Sequence, residues 1–253
     1  MTEFITSRAN PLCAKIKKLN GSGAFRREEG LFVGEGPKLL AEAVKAGWPL
    51  ECVVTRQGMK VSVPDGVRRV EVPGDLLASL CDTKTPQGVL SICGMPSAKL
   101  PGKLEGKRYV VLDGVQDPGN VGTILRTADA FSADGMLLVN ACADLYNPKT
   151  VRATMGAVFR CPVWTCDVGA LRELLTGSGL PLYGAALRSD TVDARTADYS
   201  RCAVAIGSEG KGLSQAMLEV CDQTVLIPMQ AHCESLNAAV AATVLLWEAA
   251  RND

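Results

Sequence analysis

Short apolar runs alternate with helix-type patterns through the second half of this sequence. Runs that are apolar at most positions occupy residues 109–115, 136–140, 162–166, 182–187, 202–207 and 224–229. Such runs are typical of strands that are covered on both faces of a parallel sheet. Helix-type patterns lie between them at residues 123–131, 151–159, 171–179 and 214–221. The alternation predicts a doubly wound α/β domain with a parallel sheet.

The last predicted helix is unusual because it is apolar on nearly every side. The pattern starts this helix at Ser235, which is the expected N-cap. Between residues 236 and 247 only Asn237 and Thr243 are polar. The apolar stretch is shorter than the ~20 residues that cross a bilayer. It therefore predicts a core helix, or a helix divided between the core and a subunit interface that would include Leu245.

The first part of the chain has a similar alternation on a smaller scale. Strands are predicted at residues 30–36, 51–55, 68–73 and 86–93, with helices at residues 10–19, 37–47 and 74–82. Residues 97–107 are rich in Pro, Gly and Lys and have no periodicity, which is typical of a linker. The sequence thus predicts a small α/β domain at residues 1–96, a linker at 97–107 and a larger domain at 108–253.

Composition narrows the classes of protein that fit. The chain has 253 residues, 47% of them hydrophobic and 21% charged, which indicates a globular protein. Lys+Arg and Asp+Glu both number 27, so a nucleic acid would have to be bound by local positive charge. An excess of basic residues in the first forty positions fits either an RNA-contact patch or a solvated helix face.

Cysteine usage and the N-terminal residues indicate a cellular compartment. The ten cysteines are scattered, without a C-x-x-C pair, and there is a single histidine. No zinc site or other metal site is expected from this pattern. The first residues, MTEFITSRANP, contain no apolar signal segment. We therefore expect reduced thiols and a cytoplasmic protein.

Three predicted loops combine glycines with polar side chains, and each follows a predicted strand. They are residues 117–126, 207–214 and 227–237. Ligands bind at the carboxyl ends of the strands in open parallel sheets, so the three loops are candidate parts of one site. A P-loop would need Ser or Thr after its lysine, whereas Lys211 is followed by Gly212. A dinucleotide fingerprint is also absent, so generic nucleotide motifs do not explain the glycines.

In this order, the loops resemble the three motifs of the SpoU/TrmH family of RNA 2′-O-ribose methyltransferases, in the knotted SPOUT superfamily. DPGNVGTILRTADAF (117–131) is similar to motif one, AIGSEGKGLS (205–214) to motif two, and IPMQAHCESLNAAVAATVLLWE (227–248) to motif three. NPKTVRATMGAVFRCPV (147–163) resembles the segment between motifs one and two. Asp117 and Ala231 depart from the residues that are common in the family, and Ala231 bears on the backbone shape of the third loop.

The N-terminal part is similar to the ribosomal-protein-like substrate-binding domain that many family members carry. The stretches that carry this likeness are SRANPLCAKIKKL (7–19), FVGEG (32–36) and DTKTPQGVLSIC (82–93). The resemblance therefore covers nearly the whole chain. It implies a C-terminal α/β domain with a trefoil knot, preceded by a small α/β domain that binds the RNA substrate.

The resemblance also implies a cofactor and a set of site residues. S-adenosylmethionine is the expected cofactor. By motif position its contacts are Gly207, Ile227 and Leu236, and Met229 is expected to assist them. The catalytic positions of the motifs are matched by Arg126, Asn120, Glu209, Ser235 and Asn237. Ser235 is expected to orient the ribose, and the two asparagines to position Arg126 or the hydroxyl. Glu209 is expected to hold the second loop or a basic residue.

Arg126 is the residue whose role is hardest to assign. The family resemblance implies a general base, yet an arginine side chain is not expected to lose its proton in a protein. A guanidinium can instead hold the phosphate beside the target ribose and stabilise the developing alkoxide. We favour this electrostatic role, and the role as a base stays open. His232 and Cys233 are neighbours in a loop and are not expected to form a nucleophile pair.

The expected partners are RNA and a second copy of the chain. The N-terminal domain favours ribosomal RNA over transfer RNA, and family members form homodimers through the knot and its C-terminal helix. Three alternatives remain: an enzyme of the same family that acts on transfer RNA or on an antibiotic-target nucleotide, a catalytically silent RNA-binding or assembly factor, and a nucleotide enzyme outside the SPOUT superfamily. Arg152 fits either a contact with RNA or cofactor or a structural ion pair.

Overall fold

The computed structural model describes residues 2–97, 99–230, 232–233 and 235–251. The chain forms two compact units. The N-terminal unit contains residues 1–97 together with residues 144–159, and the C-terminal unit contains residues 98–143 and 160–253. Residues 144–159 lie far from the N-terminal part in sequence, so the N-terminal unit is built from two separate stretches of chain. The predicted domain limits at residues 96 and 107 stay a prediction.

The N-terminal unit is an α/β layer structure around a five-stranded mixed sheet. The strand order is β1-β4-β3-β5-β2, with β1, β4 and β3 parallel to one another and with β5 antiparallel to both β3 and β2. Its elements are β1 (Thr2–Phe4), α1 (Pro11–Gly21), α2 (Gly23–Glu29), β2 (Leu31–Glu35), α3 (Pro37–Lys45), β3 (Leu50–Arg56), β4 (Arg68–Val72), α4 (Gly74–Leu80), β5 (Val89–Gly94) and, from the second stretch, α6 (Pro148–Ala153).

Residues 144–159 are held in the N-terminal unit by aromatic rings and one buried ion pair. The ring of Phe32, which is fully buried, lies 4.7 Å from that of Tyr146 and 6.2 Å from that of Phe159, measured between centroids. The guanidinium of Arg26 donates to the carboxylate of Asp144 at 2.6 Å. Arg26 is itself only 3% exposed, so its charge depends on this carboxylate for compensation.

The predicted helix at residues 151–159 is replaced by two shorter elements. Helix α6 ends at Ala153, Met155 and Gly156 have positive φ angles of 52° and 98°, and a 3₁₀ turn follows at Ala157–Phe159. Two consecutive residues with left-handed backbone end a right-handed helix, which the apolar pattern could not indicate.

The C-terminal unit contains a seven-stranded sheet in which every pairing is parallel. The strand order is β10-β12-β9-β11-β6-β7-β8. Its elements are β6 (Arg108–Asp113), α5 (Pro118–Ala130), β7 (Gly135–Val139), β8 (Val163–Cys166), α7 (Val168–Ser178), β9 (Leu182–Ala185), β10 (Val192–Asp193), β11 (Cys202–Gly207), α8 (Gln215–Val220), β12 (Gln223–Leu226) and α9 (Ala238–Ala250).

Helices cover both faces of this sheet, as the continuous apolar strands predict. Leucines of α7 pack with Tyr109, Val111 and Leu137 in one core layer, to which α8 also contributes. Helices α5 and α9 pack against each other, and they contact β6, β7 and β11. Within the described residues, no helix is long and apolar enough to cross a membrane. The predicted α/β class with a parallel sheet is confirmed.

Helix α9 begins later than the sequence predicts. It starts at Ala238, and its N-cap is Asn237, whose Oδ1 accepts from Ala239 N at 2.9 Å. The assignment of Ser235 as the N-cap is therefore wrong. Leu245 is fully buried in the C-terminal unit, whereas Val240, Val244 and Trp247 are exposed. Leu245 is thus a core residue and does not lie on the free face of the helix.

Candidate active site

The three candidate loops meet at one edge of the parallel sheet. They follow β6, β11 and β12, and β6 lies beside β11 with Asp113 opposite Gly207. Because all seven strands are parallel, their carboxyl ends lie at the same edge. The topology therefore brings together residues that are more than a hundred positions apart in sequence.

The first loop is short because helix α5 begins within it. Asp117 is the N-cap: its Oδ1 accepts from Asn120 N at 2.9 Å, and Pro118 takes the first helical position. Asn120 therefore lies in the first turn of α5. Arg126 lies about two turns along the same helix at ~3.6 residues per turn, and not one turn along, as a helix beginning at residue 123 would place it.

The second loop is closed at its base by two backbone hydrogen bonds. Ser208 N donates to Gly212 O at 3.0 Å, and Gly212 N donates to Ser208 O at 2.9 Å. A Cβ on Gly207 would lie 2.1 Å from the carbonyl carbon of Gly212. The glycine at position 207 is therefore required by the fold of the loop itself, which gives it a structural reason beyond the expected approach to a cofactor.

A chain of side-chain hydrogen bonds joins all three loops. Asn120 Nδ2 donates to Glu209 Oε1, and Asn237 Nδ2 donates to Asn120 Oδ1 at 3.2 Å. The side-chain oxygen of Asn237 accepts from the first backbone N–H groups of α9 and so caps this helix. Each amide uses its nitrogen as a donor and its oxygen as an acceptor, so the orientation of both side chains is determined. The structure thus brings three of the expected polar residues together.

Arg126 and Ser235 lie outside this chain of hydrogen bonds. Both side chains are exposed, and within the described part of the chain neither has a hydrogen-bond or ion-pair partner. An unpaired guanidinium on the helix that carries Asn120 is available to an anionic ligand. Arg152, by contrast, pairs with Asp82 at 3.1 Å inside the N-terminal unit, in agreement with the structural alternative for that residue.

A largely apolar cavity of about 560 Å³ lies beside the second and third loops. Its volume falls within the ~300–1,000 Å³ that is usual for small-molecule sites. Three of the four expected cofactor contacts line it, namely Ile227, Met229 and Leu236. Gly207 is not among the described residues that line it. Met229 and Leu236 are 42% and 38% exposed, so their apolar surface is open to a ligand.

Other cavity residues were not expected from the sequence. Lys211, Leu213 and Cys233 come from the second and third loops, whereas Ala185 ends β9 and Leu187 follows it. The carboxyl-end rule, applied to β9 as well, would have identified the last two. Leu187 is 79% exposed, an unusual position for a leucine. Ala231 lies outside the described residues.

Comparison with known proteins identifies the class. The sequence model of the SpoU rRNA Methylase family matches residues 107–247, and that of the MRM3-like substrate binding domain matches residues 10–91. The chain therefore belongs to the SpoU rRNA methylase family. It is 31% identical to the 23S rRNA (guanosine(2553)-2′-O)-methyltransferase of Bacillus subtilis, over 96% of this chain and 97% of that protein.

Solved structures agree with this assignment. An rRNA methyltransferase from Sinorhizobium meliloti, crystallised with S-adenosylmethionine, is similar with a TM-score of 0.88 and 31% identity, over 99% of this chain and 98% of that one. The SpoU methyltransferase AviRb from Streptomyces viridochromogenes, also with this cofactor, has a TM-score of 0.84 and 31% identity, over 96% and 98% of the two chains.

These matches confirm the predicted family, the class of RNA methyltransferase and S-adenosylmethionine as the cofactor. The geometry fits the cofactor: the cavity has the volume of a small-molecule site, and Ile227, Met229 and Leu236 provide apolar walls for a flat ring. Lys211 and Gln230 add polar groups to the lining. The role of each site residue stays a prediction.

Proposed function

We propose that this protein is a 2′-O-ribose methyltransferase of ribosomal RNA. The observation that carries the proposal is the hydrogen-bonded chain from Glu209 through Asn120 to Asn237, which ties the three loops together beside the apolar cavity. The relative from Bacillus subtilis, which aligns over both units, acts on 23S rRNA. This full-length likeness favours ribosomal RNA over transfer RNA.

The cofactor and the residues around it have separate tasks in the proposed reaction. When bound, S-adenosylmethionine supplies the methyl group that is transferred to the 2′-hydroxyl. Ile227, Met229 and Leu236 hold it and exclude water from the cavity. Asn120 and Asn237 use their amides to hold the three loops in register, and Glu209 fixes the second loop by accepting from Asn120. Exclusion of water strengthens the electrostatic interactions in the site.

Arg126 acts on the RNA. Its guanidinium, which has no partner among the described residues, holds the phosphate beside the target ribose and stabilises the negative charge that develops on the 2′-oxygen. Ser235, whose hydroxyl is exposed, orients the ribose. The alternative, in which Arg126 removes the hydroxyl proton, requires a neutral guanidine, which is not expected in proteins.

The finer points of the proposal concern assembly and location. We propose a homodimer in which the exposed apolar residues of α9, Val240, Val244 and Trp247, face a second copy. The trefoil knot stays a prediction from the family resemblance. A cytoplasmic location follows from the proposed substrate and from the free cysteines.

The test is methyl transfer from radiolabelled S-adenosylmethionine to purified ribosomal and transfer RNA. We expect labelled ribosomal RNA, and loss of at least a hundredfold in rate for Arg126→Ala, because removing a group that stabilises developing charge costs about 10²–10³ in rate. Cofactor binding should persist in this variant, since Arg126 is not among the described cavity residues. Arg172→Ala is the control, because Arg172 lies on α7 and pairs with Asp222, away from the three loops.

Three outcomes would contradict parts of the proposal. Normal turnover by Arg126→Ala removes the catalytic role of that residue. Label in transfer RNA alone supports the alternative substrate. Cofactor binding without transfer to either RNA supports the silent RNA-binding factor. Arg126→Lys separates the two roles: a lysine that acts as a positive charge retains activity independent of pH, whereas a lysine that acts as a base gains activity as pH rises.

A further inference from the structure

Asp113 is a buried carboxylate at the carboxyl end of β6, an inner strand of the parallel sheet. It is only 3% exposed. Its Oδ2 accepts from Ser214 N at 2.6 Å, and its Oδ1 accepts from Asn140 Nδ2. Burying a carboxylate is costly unless hydrogen bonds compensate it. These two donors compensate the Asp113 charge from two different loops.

The bond to Ser214 determines where the second loop ends. Ser214 is the N-cap of α8 and directly follows Leu213, which lines the cavity. The hydrogen bonds between Ser208 and Gly212 close the loop on itself just before Leu213. Glu209, which meets Asn120, lies within this closed segment. The loop that contributes both to the cavity wall and to the polar chain is thus fastened to β6 by one carboxylate.

We infer that Asp113 is a positioning residue for methyl transfer. It holds the second loop so that Leu213 walls the cofactor cavity and Glu209 meets Asn120. The inference rests on the proposed function, because the cavity is taken as the site of S-adenosylmethionine. Without the carboxylate, the partly buried N–H of Ser214 loses its acceptor, and a loop that moves to hydrate this group also moves Leu213 and Glu209.

The second bond fixes the orientation of the carboxylate. Asn140 follows β7 and has a left-handed backbone, with φ of 57°, a conformation that asparagine tolerates better than most residues. Its amide directs Oδ1 of Asp113 toward β7 and leaves Oδ2 for Ser214. Asp113 therefore connects the end of β6 to the residue after β7 and to the N-cap of α8.

The variants separate this role from a general effect on stability. Asp113→Ala removes both acceptors. Asp113→Asn is the conservative variant, because its amide oxygen can accept from Ser214 N while Asn140 turns its own amide to accept from the new nitrogen. Asp134→Ala is the matched control: Asp134 accepts from the backbone N of Lys107 and Arg108 at the opposite end of β6.

The first measurement is the dissociation constant of S-adenosylmethionine, determined by calorimetry on the full chain without RNA. We expect Asp113→Ala to bind about tenfold more weakly or worse, since a buried hydrogen bond to a charged group is lost. Asp113→Asn should recover most of the affinity. Asp134→Ala should lower the melting temperature and leave the affinity within about threefold of wild type, because Asp134 does not line the cavity.

The second measurement is the kinetic constants for methyl transfer. For Asp113→Ala we expect KM for the cofactor to rise by more than kcat falls. Unchanged affinity in folded Asp113→Ala overturns the inference. If that variant does not fold, Asn140→Gly replaces it. Glycine suits the positive φ at this position, and only the hydrogen bond between Asn140 and Asp113 is lost. Wild-type cofactor affinity in Asn140→Gly also overturns the inference. A wild-type chain that binds no cofactor contradicts the proposed function instead.

Discussion

Burial changes the acid–base behaviour of the cysteines in both units. Cys202 is 1% exposed, and removal from water raises its pKa from 9.0 to about 12. Cys52 behaves in the same way, with its pKa raised by burial to about 11. A thiolate in an apolar core is strongly disfavoured. These thiols therefore stay protonated in the folded protein at pH values where the unfolded chain has lost those protons.

This difference predicts a loss of stability at alkaline pH. Because the folded pKa of Cys202 is raised, its contribution is complete below about pH 9 and is lost as pH rises toward 12. We expect Cys202→Ala to reduce the slope of unfolding free energy against pH, between pH 9 and 10.5, by up to about 1.4 kcal/mol per pH unit. Urea unfolding at several pH values measures this slope.

The control for the alkaline slope is Cys233→Ala, at an exposed position in the cavity lining. It removes a thiol that is not buried, and so reports the effect of losing any cysteine on the measured slope. A Cys202→Ala protein with the same slope as wild type would show that the buried thiol is not a source of the pH dependence.

At the residue scale, the N-cap of α9 could not be predicted from the sequence. Ser235 and Asn237 are both good capping residues, and the local pattern does not distinguish between them. The choice depends on the bond between Asn237 and Asn120, two residues that are more than a hundred positions apart in sequence. Family motifs identified both asparagines as site residues, yet only the folded chain shows that they bind each other.

Helix α9 has two apolar faces with different tasks. Leu245 and Leu246 are buried in the C-terminal unit, with exposures of 0% and 2%. Val240, Val244 and Trp247 recur at helical spacing and remain exposed on the other side. Because both faces are apolar, periodicity could not tell the core from the free surface, which is why Leu245 was assigned to the interface from the sequence.

Substitutions on the two faces should change different properties: stability for the buried face and the oligomeric state for the exposed face. Leu245→Ala leaves a cavity in the core, and we expect a loss of about 2–5 kcal/mol in unfolding free energy. Val240→Glu, at a position that is 47% exposed, should leave the melting temperature nearly unchanged and convert the proposed dimer to a monomer. Denaturation and light scattering on both variants measure the two effects.

Two results would argue against this assignment of the faces. A Val240→Glu protein that remains dimeric would place the dimer contact away from α9. A Leu245→Ala protein as stable as wild type would show that the buried face contributes little to the core.

At the scale of the whole chain, the sequence predicted two α/β folds, but it did not indicate that residues 144–159 pack with the N-terminal strands. Apolar patterns located nearly all the strands and helices because periodicity is a local property. The short strands β1 and β10 were missed, since two or three residues are too few to show a period. Periodicity also does not identify the partner of an element. Residues 144–159 therefore looked like part of the second domain, although they pack in the N-terminal unit.

The discontinuous N-terminal unit leads to a prediction about its local stability. Phe32 is fully buried and packs against the rings of Tyr146 and Phe159, so Phe32→Ala should cost about 3–5 kcal/mol and loosen residues 144–159. Hydrogen exchange, followed by mass spectrometry, should show faster exchange in those peptides. Phe25→Ala is the control, because Phe25 is partly buried against the main core of the same unit, formed by side chains from residues 5–92. Equal exchange in both variants would mean that residues 144–159 hold their structure without the Phe32 ring.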